Sequence, residues 1–108
     1  MALKRGRITT NATTSLVAIE SGISENFFQN KYGKHDSLIL TNADDVNVTV
    51  TVQLVDATPT TLILHKVIIP PNVSLLLTEG LDFNNTTYSL QIVTAAASGT
   101  PDLYYHLD

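Results

Sequence analysis

The feature that most constrains this chain is an alternation of apolar and polar residues across positions 46–55. Valine or leucine stands at 46, 48, 50, 52 and 54, and asparagine, threonine or glutamine lies between them. Because successive side chains of a β-strand point to opposite faces, this period predicts a strand with one buried face. Valine and threonine favour it further, since β-branched side chains suit a pleated surface. The rest of the chain must supply a sheet to cover that face.

Other short apolar runs, separated by turn-prone residues, predict the remaining strands. They fall at about 15–19, 38–41, 61–69, 73–79, 88–95 and 102–107. Residues 23–32 fit a loop with one helical turn or a ragged edge strand, with Phe27 and Phe28 as core anchors. The turn at 42–45 predicts a hairpin between the strands on either side of it. We expect an all-β fold, an antiparallel β-sandwich of jelly-roll or Ig-like type with about seven to eight short strands and an N-terminal arm.

Length and composition limit the chain to one small domain. It has 108 residues, a formal charge of −4 and no cysteine, so disulfides and thiolate metal sites are not expected. No apolar run reaches the length of a membrane span, and no apolar segment follows the N-terminal charges as in a signal peptide. Without a leader, the Asn-x-Ser/Thr sequons reflect composition more than glycosylation.

The N-terminus concentrates positive charge. Lys4, Arg5 and Arg7 are half of the six lysines and arginines in the chain. We predict a basic, polar arm over 1–14, outside the core, followed by a single β-sandwich domain over 15–108. The arm is either a solvated chain end or a segment that becomes ordered on the acidic surface of a partner or of a neighbouring subunit.

The strand at 61–69 carries apolar residues on both faces, as expected for a strand covered on one side by the core and on the other by a loop or a neighbouring subunit. The two tyrosines at 104 and 105 must face opposite ways on a strand, so that one fills the core and the other is presented outward. Tyrosine is favoured at interfaces because it joins apolar area to a polar tip. The predicted partner contacts, besides the three basic residues, are Ile63, Val67, Ile69 and Tyr104.

No motif in the sequence indicates catalysis. His35, His65 and His106 lack metal-ligand spacing, and there is no Gly-x-Ser-x-Gly nucleophile turn. The adjacent Asp44 and Asp45 are expected to form a turn, and no glycine-rich phosphate loop is present. An acidic chain without a basic patch interleaved with aromatics does not suit nucleic acid. We therefore expect no enzyme, no cofactor, no metal site, and neither nucleic acid nor membrane as partner.

The segment 62–77 contains a strand that ends in an Ile-Pro turn and a Ser-Leu strand that follows, and 81–82 and 88–92 continue the pattern. Over about 36–108 the chain thereby resembles small virion proteins of tailed bacteriophages. The resemblance implies a β-sandwich structural protein of the particle, a capsid decoration or cement protein. It also implies a homo-oligomer, a trimer by analogy with three-fold lattice sites, on the major capsid protein, and a location in the virion after assembly in the host cytoplasm.

Three functions follow from these observations. The leading hypothesis is a cement protein that stabilises the head shell by bridging capsomers. The alternative is a structural component of the neck, the tail or a fibre. A more distant alternative is a carbohydrate-binding β-sandwich for host attachment, which the absence of tryptophan and the low aromatic content disfavour.

Overall fold

The computed structural model of the protein describes residues 4–19, 37–79, 81, 83 and 87–108. The predicted element at 23–32, with Phe27 and Phe28, lies outside these residues. The described part contains strands and no helix. The strands are β1 (Lys4–Ile8), β2 (Thr13–Val17), β3 (Leu38–Asn42), β4 (Val48–Asp56), β5 (Thr61–Ile69), β6 (Ser74–Leu77), β7 (Tyr88–Ala96) and β8 (Leu103–Leu107).

The eight strands form two antiparallel four-stranded sheets. Sheet A has the order β1-β8-β3-β6, and sheet B has the order β2-β7-β4-β5. Among the strands of the described residues, β4 and β5 are the one consecutive pair that forms a hairpin. Each of the other consecutive pairs lies in different sheets, and this interleaved order is that of a jelly roll. The predicted all-β antiparallel sandwich is confirmed. Of the two predicted topologies, jelly-roll and Ig-like, the strand order is that of the jelly roll.

The core lies between the two sheets. The predicted alternation in β4 is confirmed, because Val48, Val50 and Val52 have no exposed surface while the residues between them are half-buried. Each such aliphatic side chain contributes about 1.5–3 kcal/mol when fully buried. The facing sheet supplies matching leucines, and Leu81 fills the space beside them. The core members from sheet A are Ile8, Leu38, Leu40, Leu77, Leu103 and Leu107.

The predicted hairpin between β3 and β4 is wrong. β3 pairs with β6 and β8 in sheet A, whereas β4 pairs with β5 and β7 in sheet B. The turn therefore crosses between sheets, and the buried side chain of Asn42 holds it there. Asn42 Nδ2 donates to Val46 O at 2.8 Å and to Ile69 O at 2.9 Å, and Asn42 Oδ1 accepts from Asp44 N at 3.0 Å.

The predicted N-terminal arm is also corrected. Residues 4–8 form the edge strand β1, paired in register with β8, and Ile8 is buried in the core. Thr13 and Thr14 already belong to β2. The sequence does not predict this strand, because its side chains show no alternation of apolar and polar residues. Its backbone nevertheless gains a full antiparallel ladder from β8, which the local sequence does not reveal.

Candidate functional site

The outer face of sheet A brings the N-terminal cations beside aromatic and aliphatic side chains. Directly opposite residues of antiparallel strands point to the same face, so the strand register aligns side chains in rows across the sheet. One outward row is Arg5, His106, Ile39 and Leu76, and the next is Arg7, Tyr104, Thr41 and Ser74. Strands lie about 4.8 Å apart, so each row changes from cationic to uncharged within roughly 15 Å.

Along β1 and β8 this face is concave. It forms an open groove of about 490 Å³, lined by Arg5, Gly6, Arg7, Ile39, Thr41, Tyr104, Tyr105 and His106. Gly6 leaves room for the ring of Tyr105 on the inner side of β1, because a Cβ atom at this position would lie 2.5 Å from that ring. The two tyrosines face opposite ways as predicted. Tyr105 packs against the core, and Tyr104 keeps 43% of its surface exposed.

The two arginines of the groove differ in their electrostatic state. Arg7 Nε donates to Asp102 Oδ1 at 2.7 Å and Nη2 donates to Oδ2 at 3.2 Å, which is a bidentate pair. Asp102, through this hydrogen bond and its charge, raises the pKa of Arg7 above its usual value. Arg7 Cζ also lies 5.6 Å from the centroid of the Tyr104 ring, within the range of a cation–π contact. Arg5 has no ion pair in the part of the chain that the structure describes.

Lys4, the third predicted cation, has a different place. Its Nζ donates to Leu16 O at 2.7 Å, so Lys4 links β1 to β2 across the edge of the sandwich. It lies in the row of Leu107 and Leu38, whose side chains point into the core. Lys4 itself is exposed, at the end of β1, and it does not line the groove.

A second surface, the apolar edge, lies where β5 and β6 end the two sheets. Of the six large hydrophobic side chains exposed in the described residues, five belong to it: Leu62, Ile63, Ile68, Val73 and Leu76. Ile63 and Ile68 lie on the outer face of sheet B and Leu76 lies on the outer face of sheet A, so this surface extends around the edge of the sandwich. β5 and β6 are both edge strands and are joined by the short turn at 70–73. His65 Nε2 lies 3.2 Å from Glu79 O, just beyond β6, which places both strands at the same end of the sandwich.

Of the partner contacts predicted on β5, the structure exposes one and buries the others fully or in part. Ile63 is 56% exposed, but Ile69 is 1% exposed and Val67 packs against the core. The reason is a register shift opposite Val52 and Gln53, where β5 contains an extra residue. This bulge reverses the phase of the strand, so that Ile63 and Ile69 face opposite sides although both positions are odd.

Several residues of the two surfaces could not be found from sequence. His106, Ile39 and Thr41 join the groove only through the pairing of β8 with β1 and β3, which are distant in the chain. The exposure of Ile68 could have been predicted from the sequence. The run 67–69 is apolar at every position, and successive residues of a strand point to opposite faces, so one of them must lie away from the core.

The described residues contain no group of three His, Cys, Asp or Glu side chains arranged to hold a metal ion. His65 lies at the apolar edge and His106 in the groove, whereas His35 lies outside the described residues. No helix long and apolar enough to cross a membrane occurs in the described part.

The chain matches no family model and no curated protein. Among solved structures it is similar to the crystal structure of PirA, with a TM-score of 0.64 and 10% sequence identity over 98% of this chain and 93% of that one. A second similar structure is the Anabaena sensory rhodopsin transducer, with a TM-score of 0.42 and 10% identity over 91% of this chain and 93% of that chain. At this identity the likeness to PirA shows a shared fold, and the weaker one supports no argument.

Proposed function

We propose that this protein is a non-enzymatic structural component of a bacteriophage virion. In this proposal it decorates the head shell, assembles with copies of itself through the apolar edge, and strengthens the shell by bridging capsomers. The observation that carries the proposal is the concentration of exposed aliphatic side chains on β5 and β6. The resemblance of 36–108 to small phage virion proteins supports the choice of a virion.

The apolar edge supports assembly because its exposure costs free energy in water. Ile63 and Ile68 are 56% and 63% exposed on the outer side of β5. Full burial of such a side chain is worth about 1.5–3 kcal/mol, so covering what is now exposed gains about 1 kcal/mol for each. Scattered single apolar residues need no explanation, but five of the six exposed in the described residues belong to β5, β6 and the turn between them, which favours an interaction site along this edge.

The backbone of β5 supports the same conclusion. This strand is nine residues long, ends sheet B, contains no proline and carries one charged residue, Lys66. An edge strand presents N–H and C=O groups without a strand partner, and proteins that remain monomeric usually protect such edges with charge, proline, a bulge or a covering segment. β5 has the bulge next to Ile63 and the charge of Lys66, whereas Val67, Ile68 and Ile69 beyond them are apolar, so this end of β5 is the part suited to pair with another chain.

The outer face of sheet B is poor in charge as well. On β4 the outward side chains are Thr49, Thr51 and Gln53, and Gln53 Nε2 donates to Gln91 Oε1 at 3.1 Å. Lys66 is the one charged side chain among the described residues of this face. The centres of protein interfaces are depleted of charged residues, so this face suits packing against protein.

The mechanism needs no chemistry at the site. A protein that binds the assembled lattice and not its free subunits stabilises the lattice by mass action. The function then depends on the surfaces that contact neighbouring chains. The double variant Ile63→Thr with Ile68→Thr, called the edge variant below, removes two exposed aliphatic groups and retains β-branched side chains that suit a strand.

The proposal is tested on particles. Virions are stripped of the protein, reloaded with wild-type chain or with the edge variant, and heated while genome release is followed. Wild-type chain should restore heat resistance, and the edge variant should restore less of it. Absence of the protein from purified virions, or equal heat resistance with and without it, would refute the proposal. Copy number distinguishes locations: a shell protein is as abundant as its lattice sites, and a neck, tail or fibre component is far rarer.

A further inference from the structure

The groove on the outer face of sheet A presents positive charge on an acidic protein. The chain carries ten acidic residues against six lysines and arginines. Two of those six, Arg5 and Arg7, line this groove, and Asp102 beside it neutralises only Arg7. Counted over the described residues, the groove therefore carries a positive charge, opposite in sign to that of the whole chain.

The available cation is well placed for recognition. Arg5 stands in the outward row with His106 and Ile39, and its guanidinium has no ion pair among the described residues. Arginine offers a planar fork of donors that matches a carboxylate. Within the part of the chain that the structure describes, Arg5 therefore gives the groove one cation that is left to pair with an anion, next to Arg7, which is already paired.

The other side chains of the groove add apolar contact. Tyr104 is 43% exposed and lies against the guanidinium of Arg7, which is held by Asp102. This contact restricts the orientations of the Tyr104 ring before any ligand binds, so less conformational entropy is lost on binding. Ile39 is half-buried in the next strand. Tyrosine and arginine beside an aliphatic residue are the composition found at the energetic centres of protein interfaces.

The chemistry of the groove favours a peptide over nucleic acid. Binding to a phosphate backbone relies on several cations that together neutralise several phosphates. Here Arg5, which has no ion pair to any residue the structure describes, is flanked by apolar and hydroxyl side chains, on a protein with a formal charge of −4. Such a surface suits a ligand with few negative charges and some apolar area.

We propose that this groove binds an acidic segment of a partner protein in an extended conformation, with Arg5 pairing a carboxylate and Tyr104 and Ile39 contacting adjacent aliphatic side chains. The inference deepens the proposed function and rests on it only for the partner's identity, which would be the major capsid protein. It uses residues other than the apolar edge.

The test is an NMR titration of the full chain with a short blocked peptide in which aspartate and leucine alternate. We expect saturable shifts of the amides of Tyr104, Thr41 and Arg5. The same peptide with asparagine in place of aspartate should bind at least about tenfold more weakly, because the charge-assisted hydrogen bonds are lost. No saturable binding, equal binding of the two peptides, or shifts confined to β5 and β6 would each overturn the proposal.

Variants assign the effect to the groove. Arg5→Gln should weaken peptide binding at least about tenfold, whereas Lys66→Gln, which removes an exposed cation from sheet B, should leave it unchanged. Unchanged binding by Arg5→Gln refutes the role of Arg5. Tyr104→Ala is a second variant that should also weaken binding, and the amide spectrum verifies that each variant is folded.

The edge variant separates this proposal from the previous one. It should bind the acidic peptide as well as the wild-type chain does, even where it no longer assembles. Loss of peptide binding by the edge variant would show that the groove is not an independent site. A wild-type chain that binds the peptide but adds no heat resistance to particles would refute the proposed virion function. The proposal that the groove binds an acidic segment would still stand.

Discussion

Replacement of Asn42 by alanine should be one of the most destabilising single changes in this protein. Asn42 has no exposed surface, and its side chain makes three hydrogen bonds, two of them to the main-chain carbonyls of Val46 and Ile69. A hydrogen bond contributes about 1 kcal/mol net, and a buried group left without its partner costs about 1–3 kcal/mol. The expected loss of unfolding free energy is therefore at least about 3 kcal/mol, a large part of the roughly 5–15 kcal/mol typical of a small domain.

The assay is urea denaturation of Asn42→Ala in the background of the edge variant, so that subunit dissociation does not contribute to the measured stability. Asn47→Ala is the matched control, because Asn47 is exposed in the same connection between β3 and β4. A loss of about 3 kcal/mol corresponds to a fall in melting temperature of roughly 12–24 °C. A loss below about 1 kcal/mol, or an equal effect of Asn47→Ala, would refute the role assigned to this side chain.

Asn42→Asp refines the same test. Its carboxylate would face two carbonyl oxygens that now accept hydrogen bonds, and this environment raises the pKa of the new carboxyl group in the folded state. A raised carboxyl pKa means that the folded protein takes up a proton more readily than the unfolded chain. The variant should thus be least stable at neutral pH and regain part of its stability as the pH falls. A stability difference from wild type that does not depend on pH would contradict this account.

Three further predictions concern other contacts. Thr94→Val should lower the unfolding free energy by about 1–2 kcal/mol in urea denaturation, because the buried Thr94 hydroxyl donates to main-chain carbonyls before β2; Thr51→Val, on the outer face, should have a smaller effect. Arg7→Gln should leave the thermal midpoint almost unchanged, because its ion pair with Asp102 is exposed to solvent and screened. Hydrogen bonds from the Thr58 hydroxyl and from the main-chain N–H groups of Thr60 and Thr58 lower the pKa of Asp56, so its contribution to stability is present above about pH 4 and is lost as the pH falls through the lowered value. Urea denaturation at a series of pH values should therefore show that the unfolding free energy of Asp56→Asn falls less steeply with decreasing pH than that of the wild-type chain. An equally steep fall in the two proteins would contradict this.

The sequence predicts most strands because local patterns encode them. The alternation across 46–55 identifies β4, and the boundaries predicted for β5 agree with the structure at both ends. Tyr88, Leu90 and Ile92 face the core together, as their spacing predicts. These features depend on side-chain periodicity within one segment, and periodicity is visible in a single sequence.

The remaining features depend on contacts between distant segments. A turn-forming sequence at 42–45 is compatible with a hairpin and with a crossing between sheets, and the choice is made by the burial of Asn42 against the end of β5. β1 is a strand because β8 pairs with it, although Lys4, Arg5 and Arg7 suggest a solvated segment. The bulge in β5 could not be inferred either, because a strand that is apolar on both faces gives no phase from which to detect a shift.

The two surfaces are only half visible in the sequence for the same reason. Arg5, Arg7 and Tyr104 can be picked out singly, but the register of β1, β8 and β3 is what places them in one groove. On β5 the sequence shows apolar residues on both faces, and the structure leaves some of them exposed. Which side chains stay exposed was decided by the bulge, in favour of Ile63 and Ile68 over Val67 and Ile69.

Sedimentation velocity on the purified chain and the edge variant tests the central claim, that the apolar edge is an interface, most directly. If two copies bury Ile63 and Ile68 of both chains at about 1 kcal/mol each, the edge variant loses about 4 kcal/mol of association free energy, roughly a thousandfold in affinity. Tyr104→Thr is the control, because Tyr104 is the sixth exposed large hydrophobic residue in the described part and lies away from the edge. We predict that the wild-type chain and Tyr104→Thr sediment as an oligomer and that the edge variant sediments as an 11.7 kDa monomer. A wild-type chain that remains monomeric at high concentration, or an edge variant that associates as strongly as wild type, would contradict the account.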